Sequence, residues 1–258
     1  MKIIFKKKIG DIMQITSLDE RWYAELDNMG RYKGYRPSLT WIISYTPKGD
    51  GKGYEIWIGD NGYNESQRLM KEAGERGSRI HRAIEELLKK YMNNDRKGIN
   101  MIDEFIDLDG TKKDLAPDEW HAVMTFVQWF KQKKIKKVLS SELTLLTKEF
   151  GCTLDTRYIY EKGGRDIYGL TDFKTSQQNY VSSEGQLSGQ IIACKENGLR
   201  VDEASILQVG YRKTIKGYKE TVYPFQPELF EAAYTFWKKE NLKKKPYQRD
   251  YPLTLNLL

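Results

Sequence analysis

Asp172 and Lys174 are the residues of this 258-residue chain whose spacing points most directly to chemistry. They lie in IYGLTDFKTS (167–176), where an apolar, β-prone run takes in a carboxylate and an ammonium two positions apart. Alternate residues of a strand share a face, so the two side chains stand together. As a surface ion pair they would stabilise the fold by only about 0–1 kcal/mol. The chemical alternative is a metal ligand beside a catalytic lysine, and it requires other ligands to converge on the same point.

Three successive segments could bring them there. VLSSELTLLT (138–147), GCTLDTRYIY (151–160) and RDIYGLTDFKT (165–175) read as strands, with EKGG (161–164) as the hairpin turn between the last two. Asp155 falls in the middle strand on the face of Thr153 and Arg157, and Glu142 in the first on the face of Thr144. If the strands are neighbours, Glu142, Asp155, Asp172 and Lys174 meet at one end of a sheet. Clustered carboxylates repel unless a cation is bound or one of them is protonated. Hard oxygen ligands favour Mg²⁺ or Mn²⁺. Such an ion positions and activates water and stabilises charge on a phosphate oxygen. Lys174 could orient or deprotonate that water or neutralise developing charge, and the carbonyl of Phe173 between them is a further ligand.

His81 is the other candidate ligand. In ERGSRIHRAIEELL (75–88) it is rotated by about 100° from Ile80 and shares a face with Glu85. Each feature also has an ordinary explanation. D-x-K on a strand is common, and a single helical histidine usually packs or faces solvent. Gln186 and Gln190 share a helix face that reads as solvated polarity, and KQKKIKK (131–137) is more often a solvated helix end than a DNA track. The conjunction favours a metal site.

The elements around these strands can be traced from the same patterns. RPSLTWIISY (36–45) and YEIWIG (54–59) read as short strands separated by a turn-rich loop, PKGDGKG (47–53). From Asn64 to Asn93 the period is helical, with Ile80, Ile84, Leu87 and Tyr91 on one face and Gly74 and Gly77 as a place to divide it. A second helix comes after Pro117, with Trp120, Val123, Val127 and Phe130 inward and its end at KQKKIKK. SSEGQLSGQIIACKEN (182–197) is expected to be a helix with a serine cap in front and Gly198 behind. ASILQVGYRK and GYKETVYPF form a hairpin, and FEAAYTFWKKENLKKK a closing helix. The alternation implies an α/β protein with a central mixed sheet flanked by helices. One domain is expected. Residues 1–63 form a strand and loop extension, 64–137 a helical segment carrying His81, 138–241 the sheet-and-helix core and 242–258 a basic, irregular tail.

Composition narrows the partners. A net charge of +7, from 43 basic and 36 acidic residues, suits a polyanion. Two cysteines, Cys152 and Cys194, are too few for a disulfide framework or an iron–sulfur cluster and fit a reduced, cytoplasmic setting. MKIIFKKKIG lacks the apolar stretch of a secretory leader, and no run approaches the ~20 apolar residues of a membrane span. The phosphate loop G-x-x-x-x-G-K-[ST] is absent, so ATP hydrolysis is not expected.

Arg76–Gly77 with His81, Glu142, G-C-T-L-D ending at Asp155, L-T-D-F-K-T, and Gln186–Leu187 together resemble the PD-(D/E)XK nucleases of the RecB-like branch. The stretch P-S-L-T-W-I-I (37–43) is similar to the opening of phage exonucleases and of the mitochondrial genome maintenance exonuclease group. The likeness spans roughly residues 36–195. Two positions depart from it: three residues separate Gly151 from Asp155, and Gln190 stands where the branch often has tyrosine. The resemblance implies a restriction-endonuclease-like core. It implies His81, Asp155, Asp172 and the Phe173 carbonyl as metal ligands, Lys174 as catalytic lysine and Glu142 in support. Gln186 would hold the lysine or the DNA backbone, and Ser38, Thr40 and Arg76 would contact substrate. The expected activity is a Mg²⁺- or Mn²⁺-dependent DNA exonuclease acting on linear ends or single strands, with Trp22, Tyr32, Tyr35 and Trp41 available for stacking. Its setting would be phage or mobile-element replication, recombination or repair in a bacterial cytoplasm, with a phage recombination or replication protein as a possible partner. The alternatives are a structure-selective or nicking endonuclease on the same site, and a nucleic-acid-binding recombination accessory that makes no cut.

Overall fold

The computed structural model describes residues 4–17, 20–46, 52–95, 97–106, 112–244 and 246. Strands β1 (Ile4–Ile9), β2 (Ile12–Ser17), β3 (Glu20–Leu26) and β4 (Tyr32–Pro37) form an antiparallel meander. Helices α1 (Leu39–Ile43), α2 (Lys52–Asn61) and α3 (Tyr63–Met92) come next, then the two-residue strands β5 (Phe105–Ile106) and β6 (Lys112–Lys113), and α4 (Pro117–Gln132). The core is β7 (Ile135–Leu146), β8 (Gly151–Lys162), β9 (Arg165–Lys174), α5 (Val181–Glu196), β10 (Glu203–Val209), β11 (Tyr218–Tyr223) and α6 (Pro227–Asn241). Its sheet is mixed, in the order β11-β10-β9-β8-β7, with β9 and β10 parallel and every other pair antiparallel. The expected α/β class and central mixed sheet are therefore present.

Two apolar layers cover the sheet. Leu154, Leu170 and Ile206 point to one side, where α1, α5 and α6 pack with Ile15 and Trp22 of the N-terminal meander. Phe173, Leu207 and Val209 point to the other, against α3 and α4. Ile206 and Leu207 are adjacent, so β10 is buried on both faces, as a strand lined by helices on each side must be. Gly163 and Gly164, both at positive φ, make the β8–β9 turn that their sequence predicts.

Several local expectations are corrected. Residues 36–45 are not one strand: β4 ends at Pro37, and Ser38, with extended backbone, accepts the Trp41 N–H and starts a helix. Leu39, Ile42 and Ile43 share its buried face, a spacing that β-branched content obscured. YEIWIG is helical within α2, with Tyr54 and Trp57 stacked one turn apart. The stretch 63–92 is one helix despite Gly74 and Gly77, and Tyr91 on its expected inner face is exposed. On α4 the buried face runs through Glu119, Ala122, Val123, Phe126 and Trp129, rotated from the expected one. KQKKIKK holds the end of α4, as expected, only in its first three residues: the helix stops at Gln132 with Lys133 as C-cap, Ile135 opens β7, and the Lys133 side chain turns inward between Glu203 and Glu220. No serine caps α5; its N-cap is Tyr180. Trp22 is only 2% exposed and packs edge-on against Trp41 and Trp237, so it belongs to the core and not to a stacking platform. Residues 47–51 of the expected loop and 247–258 of the tail lie outside the described residues. Among those described, no helix is long and apolar enough to cross a membrane.

Gly151 joins the two sheets. It bridges Ser38, and a Cβ there would lie 2.5 Å from the Tyr23 ring. Gly151→Ala should therefore destabilise the fold by about 1–3 kcal/mol, read by chemical denaturation, because buried Tyr23 has little room to move. An unchanged midpoint would mean that this junction yields freely.

Candidate metal centre

Three consecutive strands supply the carboxylates, and a local break in the sheet gathers them. The β8–β9 ladder stops at Thr156 and Thr171, and the β7–β8 ladder passes over Glu142 and Asp155. Within β8, Cys152 and Leu154 face the α5 layer while Tyr158 and Tyr160, of the same parity, face the α4 layer. The strand turns over between them. Arg157 thus lies on the α5 side, hydrogen-bonded to the Arg200 carbonyl, and does not share Asp155's face as strict alternation predicts. In the gap, Asp155 Oδ2 accepts the Phe173 N–H at 2.6 Å, replacing the missing strand partner.

Opposite Asp155, Glu142 sits at φ +52°, left-handed backbone that a non-glycine residue adopts at a cost. His81 approaches from α3 with Nδ1 3.7 Å from Asp155 Oδ1, and its ring meets Phe173 edge-on. One ligand atom each from His81, Glu142 and Asp155 lie within 4.8 Å of one another. Gly77, one turn before His81, lets α3 settle against the end of β9: a Cβ there would be 3.3 Å from Thr175 Oγ1. That close approach explains a helix-interior glycine costing about 1 kcal/mol.

Asp172 and Lys174 do share a face. Lys174 Nζ is 2.7 Å from Asp172 Oδ2 and donates to Gln186 Oε1 at 3.2 Å. Both Gln186 and Gln190 donate their amides to Asp172 Oδ1 at 3.0 Å. Gln190 is 1% exposed, so its helix face is not solvated polarity. The residue that sequence reasoning left aside holds Asp172, and its signal was the i, i+4 spacing from Gln186. His81, Asp155, Asp172, Phe173, Lys174, Thr175, Ser176 and Gln186 line one cavity of about 240 Å³. Ser38, buried as a helix cap, and exposed Thr40 do not line it. Arg76, 3.2 Å from Asp118, lines the neighbouring cavity.

The electrostatics divide in two. Burial pushes the Asp155 carboxyl up to about 8, reinforced by the Asp172 charge. Burial and then Asp155 push Glu142 up to about 7. Burial holds His81 below the usual imidazole range, against the opposing pull of Glu142 and Asp172. Burial likewise disfavours the Lys174 cation, yet Asp172 and Asp155 outweigh it and the ammonium stays above its ordinary value. Asp172 is thus paired with Lys174 and two amides, whereas Lys174 acts on Asp155, and a reluctant imidazole and Arg82 act on Glu142, against the larger effect of burial. A neutral imidazole nitrogen and two carboxylate oxygens form a donor set suited to a divalent cation.

No protein-family model and no curated protein matches the chain. The chemistry of the centre therefore rests on its geometry.

Asp155 and Glu142 have folded values well above the ~4 of the unfolded chain, so the metal-free fold binds more protons between pH ~4 and ~8. Their contribution to stability is present at low pH and is lost as pH rises through that window. The melting temperature of Asp155→Asn minus that of wild type, both in EDTA, should grow steadily between those limits and then level off. Mn²⁺ should stabilise wild type most above pH ~8. A difference that shrinks with rising pH would overturn the assignment.

Proposed function

We propose that the protein is a metal-dependent phosphodiesterase acting on DNA, with an exonuclease on linear ends as the leading form. The single observation that carries the reading is the convergence of Asp155, Asp172 and Lys174 with His81 and Glu142 where β8 and β9 part. The strand order around the site and the helix carrying His81 support the finer reading of a restriction-endonuclease-like core of the RecB-like branch. The positive net charge supports a polyanionic substrate. A setting in phage or mobile-element DNA metabolism rests on the resemblance of the motifs alone.

His81, Glu142 and Asp155 would hold a Mg²⁺ or Mn²⁺ ion, with Asp172 and the Phe173 carbonyl bordering it. Such an ion supplies Lewis acidity toward the phosphate and lowers the pKa of water. The chain's own groups do the rest. Phe173 N–H fixes the rotamer of Asp155, so the carboxylate's second oxygen faces His81. Gln186 and Gln190 fix Asp172, which in turn holds Lys174 protonated at the cavity wall. A protonated Lys174 serves as a hydrogen-bond donor and countercharge to a phosphoryl oxygen as negative charge develops there.

Two measurements test this. End-labelled linear and closed circular DNA are incubated with EDTA, Mg²⁺ or Mn²⁺. Metal-dependent loss of the linear form alone supports the exonuclease, cutting of both makes it an endonuclease on the same site, and binding without cutting would sink the enzymatic reading. Lys174→Met should lower cleavage by about 100-fold or more while DNA affinity in EDTA and the far-ultraviolet dichroism stay near wild type. Wild-type turnover in pure Lys174→Met would remove the lysine from the site.

A further inference from the structure

Strands β9 and β10 run parallel, with Lys174 opposite Gln208, so the chain leaves both strands at the same edge of the sheet. Beyond β9 lies the Thr175–Ser176 wall of the metal cavity; beyond β10 lies the loop from Gly210 to Gly217. The two are tied together. Gln208 donates its amide to the Ser176 carbonyl at 2.8 Å, and Gln177 donates to the Gly210 carbonyl at 3.0 Å and accepts the Arg212 N–H at 2.9 Å. The far side is pinned to α4. Gly210 N–H donates to Thr125 Oγ1 at 3.0 Å, and Gly217, at φ +69°, sits so close that a Cβ would lie 2.6 Å from Thr125. Tyr211 N–H closes the base of the loop on the Gly217 carbonyl.

Between buried Tyr211 and Gly217, Arg212, Lys213, Thr214, Ile215 and Lys216 are all exposed. The three cations form no ion pair with any described residue. Ile215 stands fully in solvent at the tip. Beneath lies a cavity of about 320 Å³ that shares Thr175 with the metal cavity, so the loop and the centre open onto one continuous surface. Among the described residues, the only carboxylate lining it, Asp118, is engaged by Arg76. A stiff loop that carries cations around one exposed apolar side chain matches how proteins grip and unstack DNA, with charges on phosphates and an aliphatic wedge against a base step.

We infer that the Gly210–Gly217 loop holds the end of a DNA duplex beside the metal centre, with Arg212, Lys213 and Lys216 on backbone phosphates and Ile215 wedged against the terminal base pair. This inference rests on the phosphodiesterase reading and deepens it by naming the substrate feature that the site receives: a duplex end about to be separated.

The test uses the full chain in EDTA, where binding is read without cleavage. Anisotropy of a short blunt duplex over a salt series, and fluorescence of 2-aminopurine in its terminal pair, are compared for wild type, Arg212→Ala/Lys213→Ala/Lys216→Ala and Ile215→Ser. The triple variant should bind about 10- to 100-fold more weakly, with a log–log salt slope shallower by about 2–3. Ile215→Ser should keep the slope and lose the rise in 2-aminopurine fluorescence that wild type produces. Mn²⁺-dependent hydrolysis of bis(p-nitrophenyl) phosphate, too small to reach the loop, should be the same in all three. Wild-type affinity and slope in the triple variant, or an undiminished fluorescence rise in Ile215→Ser, would overturn the inference. Failure of wild type to hydrolyse the small diester counts against the phosphodiesterase reading alone, since the binding measurements decide the loop independently.

Discussion

Beyond Thr156 and Thr171, strands β8 and β9 no longer exchange backbone hydrogen bonds, and the Asp155 carboxylate takes the Phe173 N–H in their place. A buried N–H left without an acceptor costs about 1–3 kcal/mol, so Asp155 is held where it is by the needs of the sheet. The same bond leaves its other oxygen facing His81 and sets Asp172 and Lys174, next along β9, against the cavity. The side chains of the centre depend on this one exchange of a backbone acceptor for a carboxylate. The irregularities of the sheet lie around it: the reversal of faces within β8 and the left-handed Glu142 in β7.

The charges gathered there are balanced unevenly. Asp172 is held from within the chain by an ion pair with Lys174 and by the amides of Gln186 and Gln190. Asp155 and Glu142 lie beside a desolvated imidazole, and burial first, then the charge of a neighbouring carboxylate (Asp172 for Asp155, Asp155 for Glu142), raises their pKa values. Buried like charges are tolerated only when something repays them. One half of the centre is thus held by the chain's own groups, and the other gathers an imidazole and two carboxylates whose ligand atoms lie within 4.8 Å of one another. The polar chemistry of the site and the strain at Glu142 occupy the same few residues.

Parts of the molecule distant from the cavity keep it rigid. Gly77 brings α3 against Thr175, and Gly151 brings Tyr23 of the N-terminal meander onto the head of β8. Within the sheet, Tyr158, Thr171 and Ser205 share a line of hydroxyls that continues through Glu220 to Lys133 and Glu203. Fully partnered buried networks of this sort fix a single arrangement of strands. The loop after β10 inherits that rigidity through Gln177 and Thr125.

By itself, the sequence determined the strand triplet, the Gly163–Gly164 turn, the helical period around His81, and the pairing of Asp172 with Lys174. Each of these is written in short-range periodicity: period two for strands, 3.6 for helices, and glycine where φ must be positive. The tertiary structure alone decided the rest. Residues 39–43 became a helix because Ser38 could cap it and the core could take Leu39, Ile42 and Ile43. Gln190 became a partner of Asp172 because α5 crosses β9 there, and Glu142 joined His81 and Asp155 because the ladder breaks at that level. Lys133 left a solvent-facing tract to pair with Glu203 and Glu220, and Trp22 left an expected stacking surface for the core. These outcomes depend on which distant element lies across a given residue. Burial and hydrogen-bond partnership are set by that long-range packing, which local spacing does not encode.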